Sequence, residues 1–144
     1  MKTCITSFSR EHLEVLQEQK DTATTGLLPN QLDLLEADPW TLTLFCGDEI
    51  VMCGGIVKMW EGRGEAWAIL SSARHAHAVA VFRAAKALIE FAQNTLKRIE
   101  ANVVAEHAEG CRFAEHLGFK RESFRPFYFP DGRNAIGYAR LRNG

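Results

Sequence analysis

The sequence lacks several features that would assign it directly to a function class. It has no run of about 18 apolar residues, and residues 1–8 contain no basic segment followed by an apolar stretch. Its four cysteines form no Cys-x-x-Cys pair, and no repeat or low-complexity tract interrupts the 144 residues. We therefore expect a cytoplasmic protein with reduced cysteines, folded as a single domain over residues 1–144.

An excess of one charge is also missing. The 17 Lys and Arg residues nearly balance the 18 Asp and Glu residues, so no overall positive field favours nucleic acid or a membrane as a partner. The charge is uneven along the chain, because residues 1–49 contain three basic and nine acidic residues, whereas residues 112–144 contain seven and three. The acidic first third would favour a cationic partner, although surface charge more often serves solubility.

Hydrophobic periodicity predicts a chain that contains both helices and strands. Ser9 is expected to cap a helix that extends to Lys20, and Pro29 to begin a short second helix. Apolar residues recur every three or four positions over residues 77–96, which predicts the longest helix, with Val79 on its inner face. Gly118 should end a further helix over residues 108–117 in a left-handed conformation. Strands are predicted at residues 3–7, 40–46, 50–59, 65–71, 99–105, 120–129 and 135–141.

The order of these elements resembles the GNAT superfamily of N-acetyltransferases. The similarity is closest at residues 101–119, where a strand and a short helix end in the family's Gly-Phe pair, here Gly118 and Phe119. The hairpin at Gly47 and residues 87–92 of the long helix are also similar to the family. The resemblance covers nearly the whole chain. It implies an α/β (α+β) GNAT fold, with a mixed, mostly antiparallel sheet of six to seven strands flanked by about four helices.

The resemblance implies acetyl-CoA as the co-substrate and an amine, on a small molecule or a protein, as the acceptor. In the family, acetyl-CoA lies where two central strands splay apart, and backbone amides at the start of the long helix bind its pyrophosphate. Residues 71–79 lack the glycines of the family's Gln/Arg-x-x-Gly-x-Gly/Ala motif, so this loop is either reshaped or does not bind CoA. The expected contacts are Ile69, Leu70, Ser71, Arg74, His75, Ala76, His77, Ala78 and Val79.

Four residues are candidates for proton transfer. Glu65, at the start of the central strand, and Glu106, at the end of the next one, are candidate bases or else solvated edge carboxylates. His107 stands where the family often has Asn, and it would act as a base or cap a helix. Ala114 replaces the family's tyrosine acid, so Tyr128 or a water molecule would protonate the thiolate. The aromatic run that contains Tyr128 is more simply explained as core or as a homodimer contact.

Two further features weigh on the interpretation. His75 and His77 have a spacing seen in metal ligands, but no carboxylate or cysteine completes a site, so no metal is expected. Residues 67–119 are also similar to the small internal virion proteins of short-tailed bacteriophages, which are degenerate relatives of GNAT enzymes. That similarity implies a catalytically inactive structural or binding protein, located in a virion with a virion partner if it is phage-encoded. The two hypotheses are therefore an acetyltransferase and an inactive protein of the same fold.

Overall fold

The computed structural model describes residues 2–18, 23–25 and 39–143. Within these ranges the chain forms eight strands, three α-helices and one 3-10 helix, and the helix predicted after Pro29 lies outside them. The helices are α1 (Arg10–Gln17), α2 (Ala78–Gln93) and α3 (Ala108–His116), and the 3-10 helix is Ser72–His75. The strands are β1 (Thr3–Thr6), β2 (Ala23–Thr25), β3 (Thr41–Cys46), β4 (Glu49–Trp60), β5 (Arg63–Leu70), β6 (Arg98–Val104), β7 (Lys120–Arg125) and β8 (Ala135–Leu141).

One sheet contains all the described strands. Seven of them follow the order β1-β3-β4-β5-β6-β8-β7, and β2 pairs in addition with β5. Every neighbouring pair is antiparallel except β5 and β6, which are parallel. The mixed, mostly antiparallel sheet predicted from the sequence is therefore confirmed.

The parallel pair is short. The register joins residues 63–65 of β5 to residues 98–100 of β6 and continues no further. Beyond it, residues 68–70 of β5 pair with the three residues of β2 instead. We call the space between residues 66–70 of β5 and residues 101–104 of β6 the gap.

Local sequence explains where the helices begin and end. Ser9 caps α1 as predicted, because its Oγ accepts a hydrogen bond from the Glu11 amide at 3.3 Å and His12 Nδ1 accepts one from the Ser9 amide at 3.1 Å. Gly118 ends α3 with φ of +92°, which confirms the left-handed position expected there. The expectation for Val79 is wrong. Its side chain is 64% exposed, since the first turn of α2 lies along an open groove beside Ile5 rather than over the core.

The helices cover both faces of the sheet. On one face, α2 and α3 pack against even-numbered residues of β5 and odd-numbered residues of β6. On the other, Leu13 and Leu16 of α1 pack against Trp67 and Ile69 of β5. This alternation follows from the two-residue repeat of a strand. None of the helices in the described ranges is long and apolar enough to cross a membrane.

Candidate functional site

The gap opens into an apolar cavity on the face that α2 and α3 cover. Its volume is about 60 Å³, several times what a single water molecule needs. Small residues on three strands leave this room, among them Gly54 and Gly55 of β4, Ala66 and Ala68 of β5, and Ala101 of β6. The cavity can therefore accept an apolar group between two strands whose own backbones have separated.

A second, more open cleft of about 230 Å³ lies between the start of α2 and α3. It shares Gly110 and Phe113 with the cavity, so the two spaces adjoin. A side chain at Gly110 would not fit, because a Cβ there would lie 2.6 Å from His107 Nδ1 and 3.0 Å from Val103 Cγ1. Together the cleft and the cavity form a path from the amino-terminal end of α2 to the gap.

The loop that precedes α2 is reshaped so that it needs no glycine. Ser71 begins the 3-10 helix by accepting a hydrogen bond from the Ala73 amide at 3.2 Å. No residue from 71 to 80, all of them described, has a positive φ. His77 stands at the amino-terminal end of α2, and no side chain caps that end in the described structure. The glycine-free loop therefore follows a course that L-residues adopt without strain, and the amides that open α2 remain without a side-chain cap.

The residues expected to contact CoA occupy three different settings. Arg74 is buried, and its guanidinium donates to Glu109 Oε1 of α3 at 2.9 Å and to the Ser71 carbonyl at 3.0 Å. Arg74 holds the pKa of Glu109 below its usual value. Ile69 packs under α1 on the opposite face. The residues along the open groove at the start of α2 are His75, Ala76, His77, Ala78 and Val79, while Leu70 and Ala78 line the cleft.

Glu65 is half-buried and is the last residue of β5 that pairs with β6. Its Oε1 accepts a hydrogen bond from Asn102 Nδ2 of β6 at 3.0 Å. Glu65, Trp67 and Asn102 share the face that α1 covers, since the parallel register places Glu65 opposite Glu100. A candidate base therefore lies beside the gap, and a hydrogen bond from the neighbouring strand β6 holds its carboxylate.

The other proton-transfer candidates lie apart from Glu65 and from one another. Glu106 is exposed in the turn after β6, and His107 stands at the start of α3 beside the cleft. Tyr128 packs edge to face against Phe129, with ring centres 5.3 Å apart, next to Val104 at the end of β6. Within the described residues, no group of three or more His, Cys, Asp or Glu is placed to hold a metal ion.

Sequence reasoning missed two residues of this region. Asn102 is a polar residue in the otherwise apolar stretch that ends β6, and that isolation was the only available signal. Tyr138 of β8 is buried and donates to Glu115 Oε2 of α3 at 2.8 Å. Burial, followed by the hydrogen bond to Glu115, raises the pKa of Tyr138 well above its usual value. Tyr138 therefore acts as a phenol that ties β8 to α3.

Comparison with known proteins identifies the architecture. No protein-family model matches the sequence, and no curated protein matches it. Among solved structures, Ard1 from Thermoplasma volcanium is similar, with a TM-score of 0.71, 17% identity and 99% of each chain covered. The ribosomal-protein-S18-alanine N-acetyltransferase from Escherichia coli has a TM-score of 0.66 at 14% identity, with 97% of this chain and 94% of that chain covered.

A third similar structure is the acetyltransferase from Salmonella typhimurium that modifies the N-terminal serine of a 50S ribosomal subunit protein. It has a TM-score of 0.73 at 11% identity, with 98% of this chain and 95% of that chain covered. These neighbours give no support to the similarity with phage virion proteins. At such identities the likeness concerns the fold, and it extends over nearly the whole chain. The chain thus has the fold of the GNAT acetyltransferases.

Proposed function

We propose that the protein is an N-acetyltransferase that transfers an acetyl group from acetyl-CoA to a primary amine. The observation that carries the proposal is the separation of β5 from β6 directly beyond Glu65. That separation leaves a half-buried carboxylate at the end of the gap, on the face that α1 covers, and an apolar cavity that opens from the gap on the opposite face. An acyl donor and an amine that meet at the gap would then have a proton acceptor within reach.

The residues present suit the donor along its length. The uncapped amides that open α2 suit a pyrophosphate, because a helix amino terminus attracts an anion. Ala76 and Ala78 leave room for the backbone approach that glycines provide in the family. The cleft past Gly110 and Phe113 suits the pantetheine arm, and the apolar cavity suits its thiol end. In this assignment Arg74 orders the loop through Glu109, and the phosphate contact comes mainly from the backbone.

β2 bears directly on this proposal. It pairs with residues 68–70 of β5, on the edge that faces the gap. A pantetheine arm carries amide groups that would pair with the same edge, so β2 and the arm compete for the same backbone groups of β5. Binding of the donor at this edge therefore requires β2 to leave it.

The chemistry assigned to this chain is proton transfer and orientation. The thioester supplies an activated acyl group, and the amine nitrogen forms the new C–N bond as the C–S electron pair leaves with sulfur. Glu65 takes the proton that the nitrogen loses. Ala114 contributes no acid at the cavity, and Tyr138 is engaged with Glu115, so a water molecule returns a proton to the thiolate.

We propose an acceptor class from the charge of α1 and from the names of two similar structures. Of the similar structures, one is named for an alanine of a ribosomal protein, and another for the N-terminal serine of a ribosomal protein that it modifies. In this chain Glu11 and Glu14 are exposed on α1, and Glu18 is exposed directly after it. This acidic surface would favour a protonated amine on a cationic acceptor. We therefore assign a protein or peptide amino terminus as the first acceptor to test.

Calorimetric titration with acetyl-CoA tests the proposal first. We expect a Kd of about 1–100 μM, which corresponds to roughly −8 to −5.5 kcal/mol. Glu65→Gln should retain this affinity and lose most turnover of short peptides that begin with Ala or Ser. Glu106→Gln, at an exposed carboxylate outside the gap, serves as the matched control and should keep both properties. No binding near millimolar acetyl-CoA would reject acyl transfer and favour an inactive protein of the same fold.

A pair of proline substitutions tests the competition with β2. Thr24→Pro combined with Thr25→Pro removes two consecutive backbone N–H groups, so at least one hydrogen bond of the β2–β5 ladder is lost. We expect this variant to bind acetyl-CoA several-fold more tightly than the parent. Equal or weaker binding by a folded variant would show that β2 does not occupy the donor's edge.

A further inference from the structure

Two buried polar atoms at the gap have no hydrogen-bond partner among the described residues, although both side chains are well inside the protein. They are Oδ1 of Asn102, whose residue is 2% exposed, and Nε1 of Trp67, whose residue is 3% exposed. Other buried polar side chains of the sheet and helices are paired. Thr43 contacts His12 at 2.7 Å, Gln93 bonds to Arg140, and Glu100 bonds to two arginines. Burying such an atom without a partner is costly, so each unpaired atom requires an explanation.

The orientation of Asn102 is fixed by its neighbour. An ionised carboxylate only accepts hydrogen bonds, so the amide must turn its NH₂ group toward Glu65, as the 3.0 Å contact shows. The oxygen then faces away from Glu65 and is left without a donor. Rotating the amide to satisfy this oxygen would place it against the carboxylate. Asn102 therefore presents a buried acceptor that only an added group can satisfy.

Trp67 supplies the complementary group. The parallel register pairs Glu65 with Glu100, so Trp67 and Asn102 each come two residues later, on the same face and on opposite sides of the gap. The indole N–H can only donate, and the Asn102 oxygen can only accept. One unpaired donor and one unpaired acceptor, at equivalent positions on the two strands that border the gap, match the two polar groups of a secondary amide.

We propose that Trp67 and Asn102 form a binding site for a secondary amide group in the gap, with the indole N–H donating to its carbonyl and Asn102 Oδ1 accepting from its N–H. The proposal rests on the proposed function for the identity of the ligand, since both the pantetheine arm and a peptide acceptor contain secondary amides. Asn102 has a second role as a positioning residue, because its Nδ2 holds Glu65 while its oxygen binds the ligand.

Nuclear magnetic resonance tests the amide site without any enzymatic activity. The protein contains three tryptophans, and the indole signal of Trp67 is identified by its loss in Trp67→Phe. We expect N-methylacetamide to shift the Trp67 indole signal and the Asn102 side-chain NH₂ signal. N,N-dimethylacetamide has no N–H, so it should shift the Trp67 signal alone. Trp60, which is 61% exposed, reports non-specific effects. The proposal is overturned if neither amide shifts the Trp67 signal more than that of Trp60.

Binding and kinetics then identify the source of the amide. Loss of one neutral hydrogen bond should weaken binding about two- to tenfold. If the amide belongs to pantetheine, Trp67→Phe and Asn102→Leu raise the Kd for acetyl-CoA by this factor. If it belongs to the acceptor, that Kd stays constant and the KM for an Ala-initiated peptide rises, whereas the KM for butylamine, which has no amide, does not. Unchanged values for all three ligands would count against the site. A parent protein that binds no acetyl-CoA would reject the proposed function, and the resonance experiment would still decide the amide site.

Discussion

The two halves of β5 differ in the strand that pairs with their edge toward β6. Residues 63–65 pair with β6, and charged side chains join the two strands there. Residues 66–70 lose β6 as a partner, residues 68–70 pair with the short strand β2 instead, and the small residues Ala66 and Ala68 border a cavity. A single strand thus combines a tightly closed half with an open one. Residues 63–65 hold β5 against β6, whereas residues 66–70 leave room for the cavity.

Ion pairs with Glu100 join β5 to β6 in the first half, residues 63–65. Arg63 makes two hydrogen bonds with Glu100, at 2.5 and 2.9 Å, and Arg98 adds one at 2.5 Å before it continues to Glu122. Glu100 is 7% exposed, so its charge depends on these partners. Arg63, followed by Arg98, lowers the pKa of Glu100 to about 2. The network compensates a buried carboxylate at the last point where β5 and β6 touch.

The largest effect is expected from removing that charge. Glu100→Gln should lower the free energy of unfolding by about 3 kcal/mol, because two guanidinium groups lose a buried partner. The parent gains stability from Glu100 above its unfolded pKa near 4.5 and loses it as the pH falls toward about 2. Urea titrations at several pH values should show this loss in the parent and not in the variant. Glu122→Gln, at the exposed end of the network, should cost less than about 1 kcal/mol.

A second substitution tests how tightly the closed half is packed. A Cβ on Gly64 would lie 2.7 Å from Leu96 Cδ1 and 2.8 Å from Ile56 Cγ2. Gly64→Val should therefore lower the free energy of unfolding by about 2 kcal/mol through overpacking. Urea denaturation measures the change. A stability equal to that of the parent would mean that the paired half accommodates a larger side chain as easily as the open half does.

The matching substitution in the open half should behave differently. Ala66 borders the cavity, so the two methyl groups added in Ala66→Val have room. We expect the free energy of unfolding to change by less than about 1 kcal/mol. On the proposed function, the same variant should weaken acetyl-CoA binding about tenfold, measured by calorimetry. If Ala66→Val instead destabilised the protein as much as Gly64→Val, the contrast between the halves would be wrong.

The smallest effect is expected at the opposite edge of β5, where residues 66–70 pair with β4. Cys53 of β4 stands opposite Ile69, and burial raises its pKa to about 11, partly offset by a contact with Thr43. A thiol with this pKa reacts slowly at pH 8. With a small alkylating reagent and mass spectrometry, we expect exposed Cys4 to be labelled and Cys53 to be protected until unfolding. Equal labelling rates would show that β5 loosens from β4 as well as from β6.

The sequence predicted the elements better than the contacts between them. Ser9 and Gly118 mark helix ends through local chemistry, and both positions are confirmed. The ion pair of Arg74 could not be predicted in this way, because its partner Glu109 lies 35 residues away and no local pattern indicates the pair. β2 has only three residues, too few for a periodic signal.

The candidate site shows the same division. Glu65 was predicted as a candidate base from its strand and the family resemblance, whereas Asn102 depends on the register between two parallel strands, which a sequence does not show. The sequence shows that the loop before α2 lacks glycine, but it does not show which conformation the loop adopts. The 3-10 helix is one of several conformations that L-residues allow.

The position of β8 has a consequence for how the protein is made. β8 follows β7 in the chain but lies between β6 and β7, hydrogen-bonded to both. β6 ends at Val104 and β8 begins at Ala135, so a ribosome completes β6 before it makes the strand that pairs with this edge of β6, and until then that edge stays unpaired. Unpaired strand edges promote aggregation, and closure through distant segments is slow. During synthesis, the strand that carries Asn102 thus exposes an edge at which unwanted pairing with another chain can begin.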